Sequence, residues 1–129
     1  MPGTRNSWVP SEVSGGTVNF QMNGGAANPN RNYILLGSIT GTTPGTPLPG
    51  GLVVLPLRWD LFTGMVISLL NTTLFEDFLG TLDATGKGSA KMSLPPLPPG
   101  SAGLKMSFAF ACNAPWDYVS NSIPVHIVP

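Results

Sequence analysis

Between Thr17 and Asn23 apolar and polar residues alternate one for one, which places Val18, Phe20 and Met22 on a single face. Period two bounded by Gly15-Gly16 and Gly24-Gly25 predicts a half-buried β-strand. The run Tyr33–Ile39 is denser in apolar residues and predicts a strand covered on both faces. Gly37 within it marks a bulge or a close backbone approach. Gly41–Gly51 has no periodicity and reads as a loop across one end of the fold. Leu52–Trp59 reads as another strand, and Pro56, which has no amide to donate, puts it at an edge or gives it a bulge.

The period then changes. Asp60 is a suitable helix cap, and Leu61, Phe62, Met65, Val66, Leu69 and Leu70 recur at three- and four-residue spacing. This predicts one short amphipathic helix ending near Asn71, with Leu74, Phe75, Phe78 and Leu79 adding a further turn. After Gly80 the β pattern returns. Thr81–Gly88 carries turn chemistry, with Asp83 accepting from turn amides and Gly86 or Gly88 taking a positive φ. Ala90, Met92 and Leu94 point inward on the next strand, and Pro95–Gly100 is a crossover. Leu104, Met106, Phe108 and Phe110 alternate with polar or small residues. Ile123, Val125 and Ile127 form the last strand, with His126 on its opposite face. Strand signals at roughly ten-residue spacing predict a mostly β protein. The expected form is an antiparallel β-sandwich, Ig-like or jelly-roll-like, of about seven strands with one short inserted α-helix. Residues 1–14 read as an N-terminal lead-in and 15–129 as a single domain.

Composition narrows the function classes. Gly and Pro number 16 and 14 of 129 residues, but they cluster between apolar runs, and 42% apolar content opposes disorder. Only 12 residues are charged, six of each sign. The basic residues Arg5, Arg31, Arg58, Lys87, Lys91 and Lys105 are scattered, so no nucleic-acid partner is expected. No apolar run approaches the roughly 18 residues of a membrane-spanning helix, so no membrane insertion is expected. The N-terminus has no apolar signal core, which leaves a cytoplasmic protein or a piece of a longer secreted chain.

Several segments carry a family resemblance: Asn32–Ser38, Pro44–Pro49, Phe78–Gly86, Pro95–Pro99 and the ending Trp116–Val125. Together they resemble a β-rich accessory domain found at or near the C-terminus of large secreted bacterial proteins, especially of the planctomycete type. The resemblance extends over about residues 15–129. It implies an accessory or structural role, an extracellular or cell-surface location, and no catalytic residues. Its implied partners are neighbouring domains of a larger parent chain, or copies of this one.

Candidate chemistry is sparse. A hydrolytic set would need His126 with Ser122 and Asp117, yet no Gly-x-Ser-x-Gly elbow exists, and a solvated His126 is the simpler reading. Cys112, the single cysteine, lies in an apolar run and reads as a buried thiol. Asp83-x-Thr85-x-Lys87 begins like a calcium loop, but lysine replaces an oxygen ligand, so Asp83 reads as a turn cap. The acidic pair Glu76-Asp77 stands near it, and carbonyls of the Gly41–Gly51 loop remain an alternative for calcium. No cofactor is expected. Asn71-Thr72-Thr73 matches a glycosylation acceptor.

Trp8, Trp59, Trp116, Tyr33 and Tyr118 include aromatics outside the clearest core alternation. The loop Asn113–Tyr118 therefore offers a second function, carbohydrate binding, with cell-surface polysaccharide as the partner. Trp116 and Tyr118 would stack on sugar rings, and Asp117, Asn113 and Asn121 would supply polar contacts. The competing reading has Trp116 and Tyr118 plugging the end of the sandwich. A non-catalytic module acting by surface contact is the leading expectation.

Overall fold

A computed structural model describes residues 4–6, 11, 13, 15–113 and 115–127. As expected, the chain is mostly β, its sheets are antiparallel, and one helix interrupts them. The first sheet runs β1 (Thr4–Asn6), β2 (Gly16–Asn23), β8 (Lys87–Leu94), β6 (Phe75–Glu76). The second runs β10 (Tyr118–Val119), β9 (Lys105–Asn113), β3 (Asn32–Ser38), β7 (Leu79–Thr81), with β11 (Ile123–His126) also paired to β9. A two-stranded ribbon joins β4 (Thr46–Pro47) to β5 (Val54–Leu55). The helix α1 spans Leu61–Ser68.

In the first sheet the alternation holds residue by residue. Val18, Phe20 and Met22 are buried while Asn19, Gln21 and Asn23 are exposed. Val18 pairs with Met92 and Phe20 with Ala90, so both strands turn their apolar residues to one side. The sheets meet through aromatic rings, with the Phe20 and Phe108 centroids 4.8 Å apart, which is consistent with a β-sandwich. Phe62, Phe75 and Phe78 complete a five-ring cluster around this contact. Each ring removed from water stabilises the fold by about 1.5–3 kcal/mol, so this cluster is the energetic centre.

Several expectations need correction. The eight residues Leu52–Trp59 yield only the two-residue β5, paired with residues inside the segment read as pure loop. Pro56 supplies no donor, and the ladder stops immediately before it. The helix stops at Ser68, and Leu69 is its C-cap. The apolar cluster beyond it forms β6 and β7 rather than a further turn, with positive φ at Asn71 and Asp77 breaking the helical path. Last, β9 is not half-buried. Met106 to Cys112 are buried on both faces, because β5 packs against a strand already facing the first sheet. Leu104, expected inward, precedes the strand and is exposed.

Among the described residues the strand segments also number eleven rather than about seven, several of them two residues long. One of them, β1, adds an edge strand from within the segment read as a lead-in. Trp8 lies outside the described residues. Gly37 is a point of close approach, though by side chains: a Cβ there would sit 2.6 Å from the Phe108 ring and 2.7 Å from that of Phe62.

Candidate functional site

The candidate residues near the C-terminus do not form one cluster. Arg31, just before β3, organises the segment after β9. Its guanidinium donates to Asn28 Oδ1 (2.9 Å), Asp117 Oδ1 (2.7 Å), the Pro115 carbonyl (2.6 Å) and the Asn113 carbonyl (3.3 Å). A planar fork with five donors suits such a convergence of acceptors, and lysine would not replace it. Asp117 is therefore engaged in fixing the loop.

Tyr118 opens β10 opposite Cys112, and its ring lies 5.9 Å from that of Phe110. Burial, with a contribution from Cys112, pushes its hydroxyl pKa up. This is the plugging arrangement. Asn121 is exposed beyond β10, and its carbonyl accepts from the buried Ser120 hydroxyl at 3.0 Å. Ser120 Oγ in turn accepts from the Phe110 amide at 2.9 Å, filling the gap between β10 and β11 on the edge of β9.

Asn113 and Trp116 do come together, in a groove of about 440 Å³ that sequence reading did not foresee. Antiparallel register builds it. Asn32 pairs with Thr81 on one side and Asn113 on the other, so three short polar side chains form a row across β7, β3 and β9. Two residues along, Ile34 pairs with Leu79 and Ala111, which sets an apolar row beside the polar one. Thr81 Oγ1 donates to Asn32 Oδ1 at 3.2 Å. The half-buried Trp116 packs against the core and also lines the groove, and no lining residue is charged. Tyr33 faces the other side, where its hydroxyl donates to the Asp77 carbonyl at 2.6 Å. Burial, with help from the Asp77 charge, pushes that hydroxyl up to about 12.

A second surface surrounds α1. Phe62, Thr63 and Val66 face inward, whereas Leu61 is 92% exposed, Trp59 48% and Met65 42%. Leu61 and Met65, four apart, share one ridge, and α1 has no charged residue. Asp60 holds this helix in place. One carboxylate oxygen accepts from the Thr63 amide and hydroxyl at 3.0 and 3.2 Å. The other accepts from the Ser38 and Thr40 hydroxyls and from the Ile39 and Thr40 amides at 2.8–3.0 Å. Burial alone would raise its pKa, but these donors win and hold it well below the usual carboxylate range.

The remaining candidates have structural partners. Asp83 caps its turn as expected, accepting from Thr85 and Lys87, which lowers its pKa, and Gly86 takes the positive φ. Asn71 makes two 3.1 Å bonds with the Leu79 backbone through its side-chain amide, substituting for a neighbouring strand. Cys112 is buried, which pushes its thiol pKa up, and His126 is exposed. Glu76 pairs with Lys91 at 3.4 Å beside a smaller depression. Among the described residues no three His, Cys, Asp or Glu side chains gather as a metal site. No helix among them is long and apolar enough to cross a membrane. Comparison with protein-family models, curated proteins and solved structures finds no match.

Proposed function

We propose that this chain is a non-catalytic contact module of a larger secreted or cell-surface bacterial protein, and that it docks through the exposed side of α1. The observation that carries this reading is the exposed Leu61 and Met65 on a helix with no charged residue, with the exposed Trp59 just before its N-cap. A soluble helix ordinarily sets a charged face against its apolar one, and an apolar helix surface left in water marks a contact site. The resemblance of the spaced motifs to secreted accessory domains supports the same role. So does the use of charge: Arg31 and Asp60 serve the architecture rather than a reaction centre. The proposed partner is another copy of this chain or a neighbouring domain of its parent.

Sedimentation velocity over a range of concentrations tests the reading. The wild-type chain is expected to self-associate, or to bind the rest of its parent protein. A chain carrying Leu61→Glu and Met65→Glu should do neither while melting at a similar temperature, since both positions face solvent. If the charged variant and the wild type behave alike in both assays, α1 is not the docking face.

A further inference from the structure

We infer that the groove between β7, β3 and Trp116 binds a neutral glycan, one or two sugar residues of a polysaccharide chain. This is a separate activity from docking through α1. The two surfaces lie toward opposite ends of β3, which at about 3.3 Å per residue puts them on the order of 20 Å apart.

The chemistry of the lining selects the ligand. A pyranose presents an apolar C–H face and a rim of hydroxyls, each able to donate and accept. The groove sets an apolar row, Ile34 and Leu79, beside a row of two amides and a hydroxyl, Asn32, Asn113 and Thr81. Amides and hydroxyls both donate and accept, so they match sugar hydroxyls without the desolvation cost of an ion. Trp116 adds an aromatic ring against which the C–H face can pack. The uncharged lining gives a phosphate, a uronic acid or an amine nothing to pair with. The volume of about 440 Å³ lies within the range of about 300–1,000 Å³ typical of small-ligand clefts.

The site is also held before any ligand arrives. Arg31 fastens the loop carrying Trp116 through the Asn113 and Pro115 carbonyls and Asp117, and the polar row stands on three paired strands. Preorganisation of this kind lowers the ordering cost of binding. The sequence suggested sugar contact by the loop tip, with Asp117, Tyr118 and Asn121. The groove instead combines Trp116 and Asn113 with Asn32 and Thr81 from strands more than thirty residues away in the chain.

Titration of the isotope-labelled chain with neutral oligosaccharides (β-1,4-glucan, xylan, chitin and α-1,4-glucan fragments), followed by amide chemical shifts, tests the inference. At least one neutral fragment is expected to shift resonances of Asn32, Thr81, Asn113 and Trp116. Its affinity should change little between about 0.05 and 0.5 M salt. Trp116→Ala should weaken binding roughly tenfold or more. Because Trp116 also packs against the core, Thr81→Arg at an exposed position provides a second block and should remove binding with the melting temperature retained. The inference fails if no neutral fragment binds, or if Thr81→Arg binds as the wild type does. It also fails if an acidic glycan or a proline-rich peptide such as Pro-Pro-Leu-Pro-Pro shifts the groove where neutral sugars do not.

Discussion

The two ends of β3 are fastened by opposite charges. At its start the Arg31 cation is surrounded by acceptors, two backbone carbonyls among them. At its finish the Asp60 anion is surrounded by donors from Ser38, Ile39, Thr40 and Thr63. Each junction positions one tryptophan, the half-buried Trp116 at the Arg31 end and the exposed Trp59 with Leu61 at the Asp60 end. Their partners differ in kind. Asp60 binds almost wholly to backbone amides and short hydroxyls, whereas Arg31 depends partly on Asp117, whose side chain is 40% exposed. In a chain with only 12 charged residues, two are thus committed to setting loops against the central sheet. An anion held by six amide and hydroxyl bonds and a cation that shares its fork with an exposed carboxylate should differ in strength and in response to pH and salt.

The largest effect is expected at the anion. Asp60→Ala removes the cap of α1 and leaves the amides of Ile39, Thr40 and Thr63 without their acceptor, a loss of about 2–4 kcal/mol from the cap and charge-assisted bonds together. Urea denaturation measures it, and a loss below about 1 kcal/mol would show that water replaces the carboxylate. The pH dependence follows from the lowered pKa in the folded state. Such a group stabilises the fold above its unfolded-state value of about 4, and that contribution disappears as pH falls through the folded value. The stability gap between wild type and Asp60→Asn should therefore narrow in acid. A gap that stays constant from neutral pH into acid would assign the effect to shape rather than charge.

The cation comes next. Arg31→Ala should cost about 1–3 kcal/mol, less than Asp60→Ala, because no helix cap is lost with it. Faster amide exchange should be confined to the segment from Asn113 to Tyr118, and a general rise would contradict a local clasp. The smallest effect belongs to Asp117→Asn. A part-exposed ion pair is worth about 0–1 kcal/mol and is screened by salt, while Arg31 keeps its carbonyl bonds. If this substitution matched Arg31→Ala, the ion pair rather than the fork would be the organising contact.

Much of the fold was legible because local pattern and burial coincide. Val18, Phe20 and Met22 face one core from a sheet with one covered face, so their period states their orientation. The Asp60 cap and the Asp83 turn were readable for a similar reason, since both act within a few residues of themselves. β9 was not. Ser107 and Ala109 look like a solvent face, yet both are buried, in a strand that β5 from a distant part of the chain packs against. Leu74–Leu79 misled through spacing, because short strands β6 and β7 take apolar residues at intervals a helix would also use. Of the candidate groove, Trp116 and Asn113 were visible as loop residues. Asn32 and Thr81 were not, because what joins them is register between strands, which no single segment encodes. Arg31 gave little local signal either, as its partners other than Asn28 lie more than eighty residues downstream.

Ser120 has a wider consequence. By accepting from the Phe110 amide through its hydroxyl oxygen it lets β10 and β11 share one flank of β9 without fusing into a long strand. Among the described residues, every outer strand of both main sheets is two to four residues long: β1 and β6 on one, β7, β10 and β11 on the other. Flanks so brief give an incoming chain too few backbone groups for ribbon growth, even on a protein with formal charge of zero and little electrostatic repulsion between copies. Recognition by this fold is left to side chains, and crowded copies can meet without templating fibrils.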